Sequence, residues 1–120
     1  MRFFIWLSLL LQSLSALAQS EYFNFSKFDT YTGLSHNQVN TILKDADGFV
    51  WFGTMSGLNR YDGYSCRIFR KNYNDSSSLL DNSVQMLYEF PDGRMYVMTN
   101  AGPCIYDSRR ENSMRITTGY

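Results

Sequence analysis

Histidine occurs once in these 120 residues, as His36, and proline and cysteine only twice each. A lone His in a Ser-His-Asn-Gln context has no triad partner and no second metal ligand nearby in sequence. His36 therefore reads as a loop or capping residue, not as a catalytic base. Eleven basic residues are matched by eleven acidic ones, with the two signs interspersed. That excludes the basic stripe by which proteins track a nucleic-acid backbone. Asp45-Ala46-Asp47-Gly48 resembles the start of a calcium loop, but the rest of that pattern is missing and its repeat partner drops the first carboxylate. A hairpin turn is the reading there. No segment after the first residues has a sustained helical period, and no low-complexity tract is long enough to form a linker. No catalytic, metal or cofactor-binding residue is expected.

What the chain does have is a repeat. Asn37, Val39, Asp47, Gly48, Thr54, Gly57, Tyr61 and Asp62 return, without a gap and at an offset of 45 residues, as Asn82, Val84, Asp92, Gly93, Thr99, Gly102, Tyr106 and Asp107. Ile42/Leu87 and Trp51/Tyr96 keep their character. Each copy reads as four short strands. In the first they are Val39 to Lys44, Phe49 to Thr54, Leu58 to Tyr61 and Tyr64 to Lys71. In the second they are Val84 to Phe90, Arg94 to Thr99, Cys104 to Asp107 and a last one near Asn112 to Thr117. The turns carry Asp47-Gly48, Ser56-Gly57 and Asp62-Gly63 in the first copy and Asp92-Gly93 and Ala101-Gly102 in the second, where glycine takes positive φ without a Cβ clash. Asn74 to Ser78 forms a polar loop between the copies. Aromatic residues make up 17% of the chain, which favours strands over helices. Phe49-Val50-Trp51-Phe52 and Met95-Tyr96-Val97-Met98 are apolar on both faces, as expected of small sheets wedged between neighbours.

A period of this length with several short strands per copy is the signature of β-propeller blades. The expected fold class is all-β: two four-stranded antiparallel blades and an N-terminal closing strand, an incomplete propeller preceded by a helical signal peptide. Met1-Arg2, the apolar run Phe3 to Leu11 and Ala16-Leu17-Ala18 predict a signal peptide over residues 1–18, cleaved after Ala18. Residues 19–35 are expected to form the N-terminal strand, at Tyr22 to Phe28, and the entry loop; 36–73 form blade 1 and 74–120 blade 2. Trp51 reads as inter-blade packing in preference to a sugar-stacking platform. Cys66 and Cys104 could pair in an oxidising compartment. They hold inequivalent places in the two copies, however, and two unpaired, packed thiols are the plainer expectation. Arg109-Arg110-Glu111 reads as a solvated turn face.

The stretch Gly33 to Tyr64, GLSHNQVNTILKDADGFVWFGTMSGLNRYDGY, resembles the two-component regulator propeller repeat, with its Asp-x-x-Gly turn, aromatic strand ending in Gly-Thr, and Gly-Leu-x-x-Tyr-Asp. The second copy is degenerate, with Tyr96 for Trp51, Met98 for Gly53 and Pro103 for Leu58. The resemblance implies an exported sensor region of a hybrid histidine kinase of Bacteroidetes type, detecting glycan breakdown products. It also implies a parent anchored in the inner membrane, with the remaining blades as partners, an oligosaccharide-type ligand and room for a homodimer. Under that reading Asn24-Phe25-Ser26 and Asn74-Asp75-Ser76 are not glycosylation sites, since the source would be bacterial. The alternatives are a truncated fragment without function, a non-catalytic binding module, or part of an exported propeller enzyme. The last would need convergent carboxylates, histidines or metal ligands.

Overall fold

The computed structural model describes residues 1–14 and 24–115. Helix α1 (Arg2–Leu14) covers most of the apolar leader, and its Phe3 and Trp6 are exposed. Ala18, the expected cleavage point, lies outside the described residues, as do Tyr22 and Phe23. Residues 24–28, the rest of the expected closing strand, are not in a strand. A strand needs an edge to pair with, and the inner strands of the blade that this segment would complete are not supplied by the described residues. Phe28 instead packs on Phe52 and Tyr61, with ring centroids 5.3 and 4.7 Å apart.

Eight strands follow: β1 (Val39–Lys44), β2 (Val50–Thr54), β3 (Gly57–Tyr61), β4 (Cys66–Phe69), β5 (Val84–Glu89), β6 (Met95–Thr99), β7 (Gly102–Asp107) and β8 (Asn112–Arg115). They form two antiparallel sheets, β1-β2-β3-β4 and β5-β6-β7-β8, each a meander in sequence order. The hairpins match the turn chemistry. In the first, the Gly48 N–H donates to the Asp45 carbonyl at 3.1 Å, and the Phe49 N–H donates to Asp45 Oδ1 at 2.9 Å. Gly57 opens β3 at φ +140°, where a Cβ would also lie 2.9 Å from the Phe69 carbonyl oxygen. The turn there demands glycine on both grounds.

The two sheets pack face to face, and the buried positions fall out of phase between the copies. On β2 it is Trp51 and Gly53 that are buried, with Val50 and Phe52 half-exposed; on β6 it is Met95 and Val97, with Tyr96 and Met98 half-exposed. Alternation on a strand sends neighbours to opposite faces, so the first sheet meets the second with one face and the second meets the first with the other. The seam encloses Trp51 and Leu58 from the first sheet and Val84, Leu87, Met95, Val97, Cys104 and Tyr106 from the second. Gly53 permits the close approach, for a Cβ there would come within 2.6 Å of Val84 Cγ1.

Two polar devices complete the seam. The Asn40 amide donates to the Val84 carbonyl at 2.9 Å, and the Ala46 N–H donates to Glu89 Oε1 at 3.1 Å. The faces pointing away from the seam are the equivalents of those inside it, so Met86 and Tyr88, on the far face, are 49% and 57% exposed. Apolar side chains left on such a face are what a further sheet would cover.

Candidate functional site

Both inner strands carry an irregularity at the same place. Val39 pairs with Thr54 and Thr41 with Gly53, leaving Asn40 as the extra residue; Val84 pairs with Thr99 and Met86 with Met98, leaving Gln85. A bulge bends its strand and re-aims the extra side chain. In each copy that side chain is an amide, at an offset of 45 residues.

Around them lies a polar surface. Asn40 Oδ1 accepts from Gln38 Nε2 at 3.4 Å, and Gln85 Nε2 donates to Asn100 Oδ1 and Ser83 Oγ, both at 2.9 Å. His36 Nδ1 accepts from the Gln38 N–H at 2.9 Å, the local capping role expected of that residue. The Met55 and Asn100 amides donate to the Gln38 and Ser83 carbonyls, tying each β2–β3-type turn to the chain entering its own sheet. His36, Gln38, Gln85 and Asn100 are exposed. Amides offer donors and acceptors side by side without net charge, so this end of the inner strands suits a neutral, hydroxyl-rich ligand. Among the described residues no group of His, Cys, Asp and Glu is arranged to hold a metal ion.

Trp51 is fully enclosed, between Phe69 at 6.0 Å and the edge of Tyr106 at 5.9 Å, so it packs between blades and does not stack on solvent-borne rings. Its indole N–H donates to Asp45 Oδ2 at 2.7 Å, a bond that sequence reading missed. The signal was there: where Trp51 becomes Tyr96, Asp45 becomes Phe90. A second exchange follows the same logic. Buried Asn59 bonds Ser35 through both amide atoms, at 2.8 and 2.7 Å, and this polar pair becomes Leu80 and Cys104 in the next copy. Cys104 is thus an apolar partner. Both thiols are free, and burial pushes both above their ordinary value, which favours the neutral thiol.

Arg109, Arg110 and Glu111 are all exposed, as expected of a solvated turn face, but Glu111 also has a specific partner. It reaches across the seam to a two-pronged ion pair with Arg67 and stands 3.8 Å from Arg60. Its backbone has φ +55°, a left-handed geometry that non-glycine residues seldom adopt. The strand register explains the reach: Arg60 and Arg67 are paired across β3 and β4, so both guanidinium groups present at one point of the first sheet.

Residues 33–56 match the family model described as two component regulator propeller. The chain carries a repeat of that family. Over 67 residues the propeller segment is 40% identical to a histidine kinase of Formosa agariphila, covering 56% of this chain and 5% of that protein. It is also similar to the crystal structure of the extracellular domain of a hybrid two-component system from B. thetaiotaomicron. That match has a TM-score of 0.67 and 28% identity, over 74% of this chain and 13% of the other. The segment therefore spans a small part of either relative. Among the described residues no helix is long and apolar enough to cross a membrane.

Proposed function

We propose that this propeller segment belongs to the ligand-sensing part of an exported two-component sensor, and that the surface around Asn40 and Gln85 faces a neutral glycan fragment. The observation that carries the proposal is the pair of equivalent bulges, which present amides at the same end of both inner strands. Side chains held on strand ends are positioned more tightly than those on loops. The names of both relatives place them in two-component signalling, which supports the same reading. In this proposal residues 1–18 direct export and are cleaved after Ala18, the segment lies in the periplasm, and its parent is anchored in the inner membrane. The remaining blades then cover the far face of the second sheet, and a homodimer of the parent carries the signal. The segment itself is non-catalytic.

The test is an NMR titration of the chain with a panel of neutral oligosaccharides. The expected result is saturable shifts of the Asn40 and Gln85 side-chain amides, with Gln85→Ala weakening binding about tenfold, the worth of one good hydrogen bond. If no panel member moves those amides, or if Gln85→Ala binds as the parent does, the assignment fails. N-terminal sequencing of the exported product should begin at Gln19. A second reading, a fragment without function of its own, is favoured by the uncovered Met86 and Tyr88, and a chain that binds no panel member would support it.

A further inference from the structure

The two bulge amides are anchored by one rule. Asn40 Nδ2 donates to the sulfur of Met55, fifteen positions on, at 3.6 Å, and Gln85 Nε2 donates to Oδ1 of Asn100, also fifteen positions on, at 2.9 Å. Asn100 is Met55 moved by one repeat of 45 residues. In each sheet, then, the turn between the second and third strands supplies an acceptor to the bulge. In the first sheet that acceptor is a thioether with a second donor, because the Ser83 hydroxyl reaches the same sulfur from the other sheet at 3.5 Å. Ser83 is 6% exposed, and a hydroxyl so buried must place its proton on a protein atom.

A thioether sulfur accepts weakly and donates nothing, so its part here is direction. Both groups aimed at it must be donors. For Asn40 this puts the amide nitrogen inward, where its other proton meets the Val84 carbonyl at 2.9 Å. For Ser83 it commits the hydroxyl proton to sulfur, so toward Gln85 the hydroxyl can only accept. Gln85 in turn spends its two N–H protons on Ser83 and Asn100, both at 2.9 Å. The outward ends follow. Asn40 Oδ1 meets only the exposed Gln38 amide, at 3.4 Å. Gln85 Oε1 and Asn100 Nδ2 have no partner among the described residues.

We propose that Met55 is the positioning residue of the amide surface. Its acceptor-only sulfur sets the direction of a side-chain relay that runs from Asn40 through Met55, Ser83 and Gln85 to Asn100, so that both bulge amides meet a ligand with their carbonyl oxygens and take its hydroxyl protons. Protons for ligand oxygens come from neighbouring groups, Asn100 Nδ2 among them. The choice of a hydroxyl-bearing ligand rests on the glycan reading above. The relay does not, and it is tested on the free chain.

The experiment follows the exchange of side-chain amide protons with water by NMR of the isotope-labelled full chain, with the Asn40, Gln85 and Asn100 signals identified by their loss in the alanine variants. Asn40 and Gln85 should exchange more slowly than Asn100. The opposite direction, with Asn100 donating to Gln85, would put the Gln85 nitrogen in water and reverse the order of those two. Met55→Leu keeps the volume and removes the acceptor. It should speed exchange at Asn40 severalfold and also shift the Gln85 signal, which is joined to Met55 only through Ser83. Met55→Asn, which writes the acceptor of the second copy into the first, should restore slow exchange. A packing role predicts the opposite ranking, since leucine replaces methionine in volume better than asparagine does. Met55 is 38% exposed, so neither substitution opens the core. Faster exchange at Gln85 than at Asn100, an unmoved Gln85 signal in Met55→Leu, or a parent-like Met55→Leu beside a perturbed Met55→Asn would each overturn the proposal. Binding is read separately: neutral oligosaccharides that bind the parent should bind Met55→Leu severalfold more weakly and Met55→Asn equally well, and unaltered affinity in Met55→Leu would overturn the positioning role. A chain that binds none of them sinks the glycan assignment, while the exchange order still decides the relay.

Discussion

Gly53→Ala is the sharpest probe of the seam. A Cβ at this position would stand 2.5 Å from Thr41 Cγ2 and 2.6 Å from Val84 Cγ1, both well inside van der Waals contact. Thr41 is β-branched and stiff at χ1, and Val84 is fully enclosed, so neither yields without moving backbone. Overpacking of this kind costs about 1–3 kcal/mol, while alanine in place of glycine in a strand returns roughly 0.5–1 kcal/mol of backbone entropy. The expected net loss is therefore about 1–2 kcal/mol, a fall in melting temperature of roughly 5–10 °C for a unit of this size. Urea denaturation followed by Trp51 fluorescence measures it, since Trp51 sits on the same face of β2. Val84→Ala removes the methyl that Gly53 accommodates, so in the double variant the two losses should fall short of additive by about 1 kcal/mol. At the equivalent place in the second copy, Met98→Ala should cost less than 1 kcal/mol, because Met98 is half-exposed. A Gly53→Ala chain as stable as the parent, or more so, would refute the claim that the two sheets meet at this glycine.

Three further outcomes follow from the geometry. Asp45→Ala strands the buried Trp51 indole N–H and should cost about 1–3 kcal/mol in urea melts, whereas Asp45→Phe combined with Trp51→Tyr, which writes the second copy into the first, should cost less than the sum of its parts. Glu111→Gly should be less destabilising than Glu111→Ala by about 1 kcal/mol, because both lose the Arg67 pair but only glycine relieves the left-handed backbone; equal melting points would show that φ there carries no strain. The Ser65 and Tyr64 N–H groups hold the Asp62 carboxyl below its ordinary value of 3.8, and the Arg94 N–H does the same for Asp92. Their contribution is present above that value and lost as pH falls through the lowered one, so this part of the stability should be lost at acid pH, and Asp62→Asn with Asp92→Asn should flatten that acid-side decline.

The periodic parts of the structure were legible from residue order. The eight strands lie within a few residues of where alternation and Asp-Gly turns put them, because both signals are local and each is written twice. Contacts that join distant segments were harder to see. Asp45 looked like a turn residue alone, since nothing within the turn reveals that its second oxygen is committed to Trp51. The ion pair of Glu111 was hidden because its partners, Arg60 and Arg67, are more than forty positions away. The bulges were invisible because an extra residue in one strand shows only when the partner strand is laid beside it. Residues 24–28, the described part of the expected closing strand, failed in the opposite way. Their period-2 pattern describes a chain able to be a strand, while forming one depends on an edge beside Phe28 that these residues do not provide.

The out-of-phase burial of β2 and β6 bears on how stability should scale with the number of units. Each unit brings two interfaces of its own but shares every one it uses, so an open stack always has one fewer junction than it has units, while a closed circle has as many. Bending the last member round to meet the first would thus add a whole junction without adding a single amino acid, and cooperativity should jump at that step instead of rising smoothly.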